Sequence, residues 1–353
     1  MPMLKLFFLL LFSGTVHSCQ AQGVAIDVLH QGKETSLRGL FVLDDSVAWV
    51  SGGNGWVART TDRGETWDWR QVPSHETVDF RDIQVFSTNE ALIISAGSPA
   101  IILRTTDGGH SWQETHRDGR PAIFFDGMDF WDDRMGLAYG DPIDGVMQLL
   151  ATSDGGQTWG DISGQATVRL SEGEAGFAAS GTGVRTLPGG HVFIASGGHQ
   201  SRLFHSMDYG QTWTARACPI VQGSASKGVF SIAFQDEYHG VVVGGDYQQD
   251  TLAEDAVFVT EDGGLTWTPP KRGTRGYRSA VEYINSKMLV AAGTTGVDIS
   301  RDGGHHWDAV SDASFHVVRK AKNGTWVVLA GADGRIATLL IDTNARNSGF
   351  EEK

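Results

Sequence analysis

The sequence is poor in thiols and in positive charge. It has 2 cysteines among 353 residues, and one of them, Cys19, lies in the N-terminal segment, so Cys218 alone remains for the folded part. A single thiol excludes an internal disulfide and excludes a metal or redox site built on paired cysteines. The formal net charge is −14, which argues against nucleic acid and anionic lipid as partners.

Motifs for metals and cofactors are also missing. The sequence contains no H-x-x-x-H, no C-x-x-C, no dinucleotide fingerprint, no haem motif and no phosphate-binding glycine loop before a helix. The glycine-rich loops that do occur, such as "GGNG", are followed by no helical pattern. We therefore expect neither a metal nor a cofactor.

One short apolar run near the N-terminus indicates export. Lys5 precedes "LFFLLLF", which is too short to remain across a bilayer, and small residues follow. The next segment, "VHSC", resembles a bacterial lipobox in which Cys19 would be lipidated, although His17 is unusual there. Cleavage after Ala21 without a lipid, or a retained segment, is the alternative. We expect residues 1–22 to be a signal peptide and the protein to be secreted or held at the cell envelope by a lipid anchor.

The sequence is rich in one repeated box. "TTDRGETW", "TTDGGHSW", "TSDGGQTW", "SMDYGQTW", "TEDGGLTW" and "SRDGGHHW" share the pattern Ser/Thr-x-Asp-x-Gly-x-x-Trp. Their aspartates lie 45, 47, 54, 54 and 40 residues apart. A repeat of this length, rich in glycine and tryptophan, predicts a propeller of four-stranded blades. The box aspartates are Asp62, Asp107, Asp154, Asp208, Asp262 and Asp302.

The box has a structural explanation. An aspartate can accept hydrogen bonds from backbone N–H groups just after it, a glycine can take the left-handed conformation, and the tryptophan can pack between blades. The acid recurs in every copy, whereas a catalytic acid is needed once. We therefore assign the box aspartates a structural role.

A second repeat, a glycine loop followed by an alternating strand, precedes each box and occurs once more without one. The seventh copy is "LAGADGRIATLLI", and it lacks the outer strand that a box would introduce. The segment "GVAIDVLH", residues 23–30, can pair beside residues 335–341 and close the ring. We predict an all-β, seven-bladed β-propeller of four-stranded antiparallel blades over residues 23–342. The polar tail, residues 343–353, is predicted to be disordered.

The boxes resemble the Asp-box (BNR) repeats of sialidases. The whole mature chain is similar to the photosystem II stability/assembly-factor-like family of seven-bladed propellers, through "GDPIDG", "GEAGFAASGT", "GVFSIAF", "GGDYQQ" and "GYRSAV". The resemblance implies this fold and no enzymatic activity. It is specific for the fold and says little about function.

A ligand site is expected on the face of the glycine loops, because loop length and polarity vary most there. Arg38, Arg81 and Arg278 lie 24, 26 and 24 residues before their box aspartates, which suggests equivalent positions in blades one, two and six, with Asp126 in that place in blade three. Guanidiniums that converge at a channel mouth would bind a carboxylate, sulfate or phosphate. Alternatively, each arginine pairs with a neighbouring carboxylate and only supports the channel wall.

The same face carries candidates for catalysis. Asp141 and Asp246 occupy similar loop positions in blades three and five, and together with Glu174 they could supply the acid and base of a glycosidase. Tyr247 near Glu174 could imitate the tyrosine–glutamate nucleophile of sialidases. Against this, the sequence has no Arg-Ile-Pro stretch before its first box, and xyloglucan-cleaving Asp-box enzymes use two propellers.

The sequence therefore favours an exported, non-enzymatic binding or scaffold propeller. Its partner would be a protein or an anionic glycan, bound at the channel mouth by a monomer. A glycoside hydrolase or sialidase-like enzyme acting on an anionic sugar is the alternative.

Overall fold

The computed structural model describes residues 23–342, so the proposed signal segment with Cys19 and the C-terminal tail lie outside the described residues. Within this range 29 strands form seven antiparallel sheets. One short helix, α1, spans Ser163–Ala166, and a 3-10 turn spans Pro188–Gly190. Neither is long and apolar enough for a membrane span.

The first strand and the first three blades use consecutive strands. The first strand is β1 (Val24–His30). Blade one contains β2 (Leu37–Val42), β3 (Ala48–Gly52), β4 (Trp56–Thr60) and β5 (Asp68–Gln71). Blade two contains β6 (Asp79–Val85), β7 (Ala91–Ala96), β8 (Ala100–Thr105) and β9 (Gln113–Asp118). Blade three contains β10 (Phe125–Phe130), β11 (Gly136–Ile143), β12 (Val146–Thr152) and β13 (Gly160–Asp161).

Blades four and five are joined by a small additional ladder. That ladder contains β14 (Glu174–Ala175) and, later in the chain, β17 (Gly197–Gly198). Blade four contains β15 (Val184–Leu187), β16 (His191–Ala195), β18 (Arg202–Ser206) and β19 (Thr214–Ala217). Blade five contains β20 (Lys227–Phe234), β21 (Gly240–Asp246) and β22 (Val257–Thr260). The fourth position of blade five is reduced to a bridge between Val259 and Thr268, and β14 and β17 extend the sheet on the other side of β20.

The last two blades complete the ring. Blade six contains β23 (Ala280–Tyr283), β24 (Leu289–Gly293), β25 (Gly296–Ser300) and β26 (Trp307–Ser311). Blade seven contains β27 (Val317–Lys320), β28 (Val327–Ala330) and β29 (Ile336–Ile341), with β1 as its fourth strand. Strand β1 runs antiparallel to β29, with Val24 opposite Ile341. The predicted seven-bladed fold and its closure by the N-terminal strand are confirmed.

The hydrophobic core lies between neighbouring blades. Inner and middle strands are buried on both faces because each blade is covered by the next, as in β7, where Leu92 and Ile94 pack against Phe125 and Leu150 of blade three. Trp159, from the third box, packs against the same cluster. The box tryptophan therefore lies in the seam between its own blade and the preceding one.

The Asp-box closes the hairpin between the third and fourth strands of its blade. In the first box, Asp62 accepts hydrogen bonds from the hydroxyl of Thr60 and from the backbone N–H and hydroxyl of Thr66, at 2.7, 2.9 and 2.5 Å. These bonds lower the pKa of Asp62 to about 2, the bond from the Thr66 hydroxyl contributing most. The same aspartate bonds recur in the other five boxes, with Ser300 and His306 as donors in the last.

Candidate binding site at the glycine-loop mouth of the channel

The inner strands of four blades begin with the same β-bulge. The pairing register shifts around Arg38 in β2, Arg81 in β6, Asp126 in β10 and Phe230 in β20. A bulge inserts one residue into the ladder and redirects its side chain, which is why bulges are frequent beside binding sites. All four side chains line one pocket at the glycine-loop face. His316, just before β27, lines it from blade seven.

The pocket has a volume of about 500 Å³ and three chemically distinct parts. Arg38 and Arg81 form its basic side, and Asp126 and Asp141 form its acidic side. Its aromatic wall contains Phe177, Phe230, Tyr247 and Tyr277. In that wall Phe177 stacks on Phe230 with ring centroids 3.8 Å apart, and Tyr277 meets Phe230 edge-on at 4.8 Å.

A connection between blades three and four crosses the channel beneath this pocket. We call residues 176–183 the axial loop. Its backbone carbonyls accept hydrogen bonds from Arg38, Arg81 and Arg319, which belong to blades one, two and seven. Two of its hydroxyl groups bond to the remaining side of the ring. Ser180 donates to the Ser279 carbonyl of blade six, and Thr182 donates to the Ser231 hydroxyl of blade five. Side chains from around the ring therefore hold the axial loop in place.

The two arginines of the pocket already bind a peptide backbone. Arg38 donates to the Ala179 carbonyl at 3.0 Å. Arg81 donates to Asp79 at 2.7 Å and to the Ala178 carbonyl at 3.4 Å. Burial and the neighbouring Arg81 lower the pKa of Arg38. Because a guanidinium has five N–H groups, both arginines keep donors for a further acceptor in the pocket.

Arg278 does not reach this pocket. Its side chain is 0% exposed and is paired with Asp298, and it also donates to the Tyr277 carbonyl and the Thr295 hydroxyl, both at 2.7 Å. The strand pairing explains the difference, because the glycine loop of blade six is one residue shorter than that of blade one. Arg38 and Arg278 lie equally far from their box aspartates, but the shorter loop shifts the register of blade six by one residue. Ser279 therefore occupies in blade six the position that Arg38 has in blade one.

The acidic side combines a buried and a partly buried carboxyl. Asp126 is 1% exposed, and neither of its carboxyl oxygens has a hydrogen-bond partner among the described residues. Asp141 accepts a hydrogen bond from the Gly176 N–H at 3.0 Å. Burial, with the nearby charge of Asp141 as a second cause, raises the pKa of Asp126 well above its ordinary value, and burial raises the pKa of Asp141 to about 6.

The other candidates for catalysis do not join this pair. Glu174 is buried in a bidentate pair with Arg202, at 2.8 and 2.5 Å, and accepts from the Ser196 hydroxyl. Asp246 is buried and accepts from the Gln248 N–H at 3.0 Å. Among the pocket-lining residues, Tyr247 stands at the rim and is 47% exposed. The structure therefore brings Asp141 and Tyr247 to the pocket and places Glu174 and Asp246 outside its lining.

The aromatic wall was missed in the sequence. Phe230 lies in "GVFSIAF" at the bulge position that Arg38 and Arg81 hold in their blades. Counting residues back from the box aspartate does not lead to Phe230, because the glycine loop of blade five is longer than those of blades one and two. Counting from the hairpin between the first and second strands, which keeps its length, would have identified Phe230.

The opposite mouth of the channel, on the Asp-box face, holds an ion network. Glu282 accepts from Arg185 at 3.0 Å and lies 3.6 Å from Arg319. Asp129 accepts from the Thr186 N–H and the Phe130 N–H. Among residues 23–342 no group of three or more histidine, cysteine or acidic side chains is arranged to hold a metal. These acidic and basic side chains come from four blades, namely three, four, six and seven.

Sequence comparisons find similarity to the same family that the repeats resemble. The family model described as "Photosynthesis system II assembly factor YCF48" matches residues 26–123. "Photosystem II assembly lipoprotein Ycf48" of Synechococcus sp. (strain CC9902) is 23% identical over an alignment of 256 residues that covers 64% of this chain and 72% of that protein. The predicted family resemblance is confirmed.

Solved structures of YCF48 proteins share the fold. A structure described as "YCF48 bound to D1 peptide" has a TM-score of 0.65 at 17% identity and covers 92% of this chain and 99% of its own. YCF48 from Cyanidioschyzon merolae has a TM-score of 0.63 at 20% identity, over 89% and 98%. A GH74 xyloglucanase from Xanthomonas campestris reaches 0.57 at 15%, over 89% of this chain and 53% of the enzyme. At these identities the three structures show the fold alone.

Proposed function

We propose that this protein is a non-catalytic binding propeller that holds a segment of a partner protein in the glycine-loop pocket. The free C-terminal carboxylate of that segment would lie against Arg38 and Arg81. The observation that carries the proposal is the convergence of these two bulge residues on one pocket. The similarity to YCF48 proteins supports it, since one of them has been solved with a D1 peptide.

The geometry favours a peptide over a sugar as the occupant. Both arginines already donate to main-chain carbonyls of the axial loop, so their guanidiniums are placed to bind peptide groups. The aromatic wall beside them offers apolar contact area for a side chain. Charge-assisted bonds from a guanidinium to a carboxylate would fix the direction of the bound segment.

The arrangement of carboxylates supports binding rather than hydrolysis. A glycosidase needs one carboxyl as acid and a second as base or nucleophile, both facing the substrate. Glu174 is held by Arg202 and Ser196, and Asp126 is buried behind the axial loop. The pocket therefore presents Asp141 to an occupant without a suitably placed second carboxylate.

We also propose that the protein is exported and anchored through a lipid on Cys19. The lipobox-like "VHSC" supports this, as does the similarity to a curated relative that is itself named a lipoprotein. Replacing Cys19 by serine should abolish incorporation of labelled fatty acid and release the protein from the membrane fraction. Membrane retention of the serine variant would contradict the anchor.

The binding proposal is tested with a D1 peptide in free-acid and amidated forms, titrated into the purified protein by calorimetry. We expect the free acid to bind at least about tenfold more tightly, because amidation removes the charge that the arginines would contact. Arg38→Ala and Arg81→Ala should each weaken the free acid by about tenfold or more. Arg117→Ala, which removes an exposed arginine of β9 outside the pocket, is the matched control.

Other outcomes redirect the proposal. Equal binding of the two peptide forms, unaffected by either arginine substitution, would exclude the carboxylate contact. Binding of a sulfated or uronic oligosaccharide in place of the peptide, lost in the same arginine variants, would replace the protein segment by an anionic glycan.

A further inference from the structure

Asp126 is an acidic side chain buried without a hydrogen-bond partner among the described residues. It sits on the bulge of β10, lines the pocket, and is 1% exposed. Neither carboxyl oxygen has a hydrogen-bond partner among the described residues. Burying a carboxylate without a hydrogen bond or counter-charge is costly, so such a group is retained in a protonated form or receives a partner from outside. An unpartnered buried acid at the wall of a binding pocket therefore points to a missing ligand group.

A second carboxyl lies next to it at the pocket. Asp141 lies in β11, the strand paired with β10, and its Oδ1 accepts a hydrogen bond from the Gly176 N–H. The two acids interact, because the charge of Asp141 disfavours ionisation of Asp126. Two neighbouring carboxylates can share a proton, and a cationic group that enters between them can replace that proton.

We propose that Asp126 and Asp141 form a subsite for a cationic group, an ammonium or a guanidinium, on the segment held by the glycine-loop pocket. This inference rests on the proposed function and specifies its ligand. The bound segment carries a basic side chain or a free amino group as well as the carboxylate that faces Arg38 and Arg81. Asp141 is the outer and Asp126 the inner acceptor.

The charges around the subsite suit a cation. Arg81 is the basic group whose charge acts on Asp126, and its guanidinium is itself paired with Asp79 at 2.7 Å. Burial and the neighbouring arginines lower the pKa of His316 to about 3, so its imidazole is neutral. The basic side of the pocket comes from blades one and two, and the acidic side comes from the next blade, three. One short bound segment can therefore contact both sides.

Gly176 of the axial loop lies directly over the inner acid. A Cβ at this position would come 2.1 Å from Asp126 Oδ2, so only glycine lets the loop pass so close to the carboxyl. The same residue donates its N–H to Asp141. The cation therefore meets Asp141 first, and a small displacement of the loop backbone at Gly176 gives it access to Asp126.

The test uses probes that carry a positive charge but no carboxylate. Nα-acetyl-lysine N-methylamide and its uncharged analogue, Nα-acetyl-norleucine N-methylamide, are titrated calorimetrically into the purified protein at fixed ionic strength. We expect saturable binding of the lysine probe and at least tenfold weaker binding of the norleucine probe. Asp141→Asn and Asp126→Asn should each weaken the lysine probe at least tenfold.

The matched control is Asp144→Asn, an exposed acid of the same blade whose left-handed backbone asparagine tolerates. It should leave the lysine probe within twofold of the wild type. A thermal unfolding scan accompanies each variant, and we expect Asp126→Asn to unfold at the same temperature or higher, because it removes an unpartnered buried acid. If Asp126→Asn fails to fold, Asp141→Asn alone decides.

The outcomes separate this inference from the proposed function. Equal binding of the two probes, no saturable binding of the lysine probe, or an equal loss in Asp144→Asn would overturn the cation subsite. The lysine probe has no carboxylate, so its result does not depend on Arg38 or Arg81. The amidated and free-acid peptides test those arginines alone, and either site can therefore fail while the other stands.

Discussion

The Arg38 guanidinium donates a hydrogen bond to the Ala179 carbonyl oxygen at 3.0 Å, across 141 residues of sequence. The bond links the bulge of blade one to the axial loop, and Arg81 makes the corresponding contact with Ala178 from blade two. The channel is thus blocked by the protein's own backbone. The loop forms the floor of the pocket, so its conformation should control what the pocket binds.

The first prediction concerns Gly181 in the axial loop. Its φ is +66°, and a Cβ there would come 2.2 Å from the carboxyl of buried Asp82. Gly181→Ala should therefore lower the free energy of unfolding by more than about 2 kcal/mol, through backbone strain together with the clash. Gly97→Ala is the control, because Gly97 also has a positive φ but nothing within 4 Å of the added methyl. Equal losses in urea unfolding of both variants would show that Asp82 does not constrain the loop.

The second prediction distinguishes Arg278 from the pocket arginines. Arg278→Met leaves Asp298, which is 1% exposed, with Arg275 as its remaining partner. Breaking a buried ion pair typically costs 3–5 kcal/mol, and because Arg275 stays we expect about 3 kcal/mol in urea unfolding. The dissociation constant of the free-acid peptide should stay within twofold. Arg272→Ala, which breaks an exposed pair with Asp308, should cost less than about 1 kcal/mol. If Arg278→Met weakened peptide binding without lowering the stability, Arg278 would be shown to take part in binding.

The blade count and the ring closure could be predicted from the sequence because they depend on local patterns. Each box contains its own hydrogen-bonding partners, and β1 carries the alternation that matches β29. The identity of the pocket residues depends on the strand register. Because the glycine loop of blade six is one residue shorter than that of blade one, Arg278 lies one position away from the place of Arg38 and does not reach the pocket. The axial loop is fixed by contacts from distant blades, so "GEAGFAASGT" contains no local signal for its path.

The third prediction is a loss of stability as pH rises. Burial raises the pKa of Asp82 to about 7, against about 3.8 in an unfolded chain, although the nearby Arg319 opposes the shift. Between these values the unfolded state has released the proton that the folded state retains, so stability present below pH 3.8 is lost as pH rises through 7. Asp126 and Asp141 act with the same sign. Buried His316 and His205, whose pKa values are lowered to about 3 and about 4, oppose it until the unfolded histidines, with a pKa of about 6.5, are fully deprotonated.

Urea unfolding at pH 6.5 and pH 8 is compared between the wild type and Asp82→Asn, because the contribution of the histidines is common to both and cancels in the difference. We expect the wild type to lose about 0.5–1 kcal/mol more stability over that interval than the variant. Asp82→Asn should reduce the loss, whatever its absolute stability, whereas Asp133→Asn, at an exposed carboxylate, should keep the wild-type dependence. An unchanged pH dependence in Asp82→Asn would show that this carboxyl is ionised in the folded protein.

The fourth prediction tests what holds an Asp-box hairpin together. The hydroxyl of Thr105, which is 1% exposed, donates to Asp107 at 2.9 Å and accepts the Gly109 N–H at 3.0 Å. Thr105→Val keeps the shape of the side chain and leaves both partners without this bond, so we expect a loss of about 1–3 kcal/mol in urea unfolding. Thr115→Val, in the following strand, removes only a 3.4 Å bond to the Ile102 carbonyl and should cost less than about 1 kcal/mol. Similar losses in the two variants would mean that interblade packing of Trp112, rather than the hydroxyl, keeps the hairpin closed.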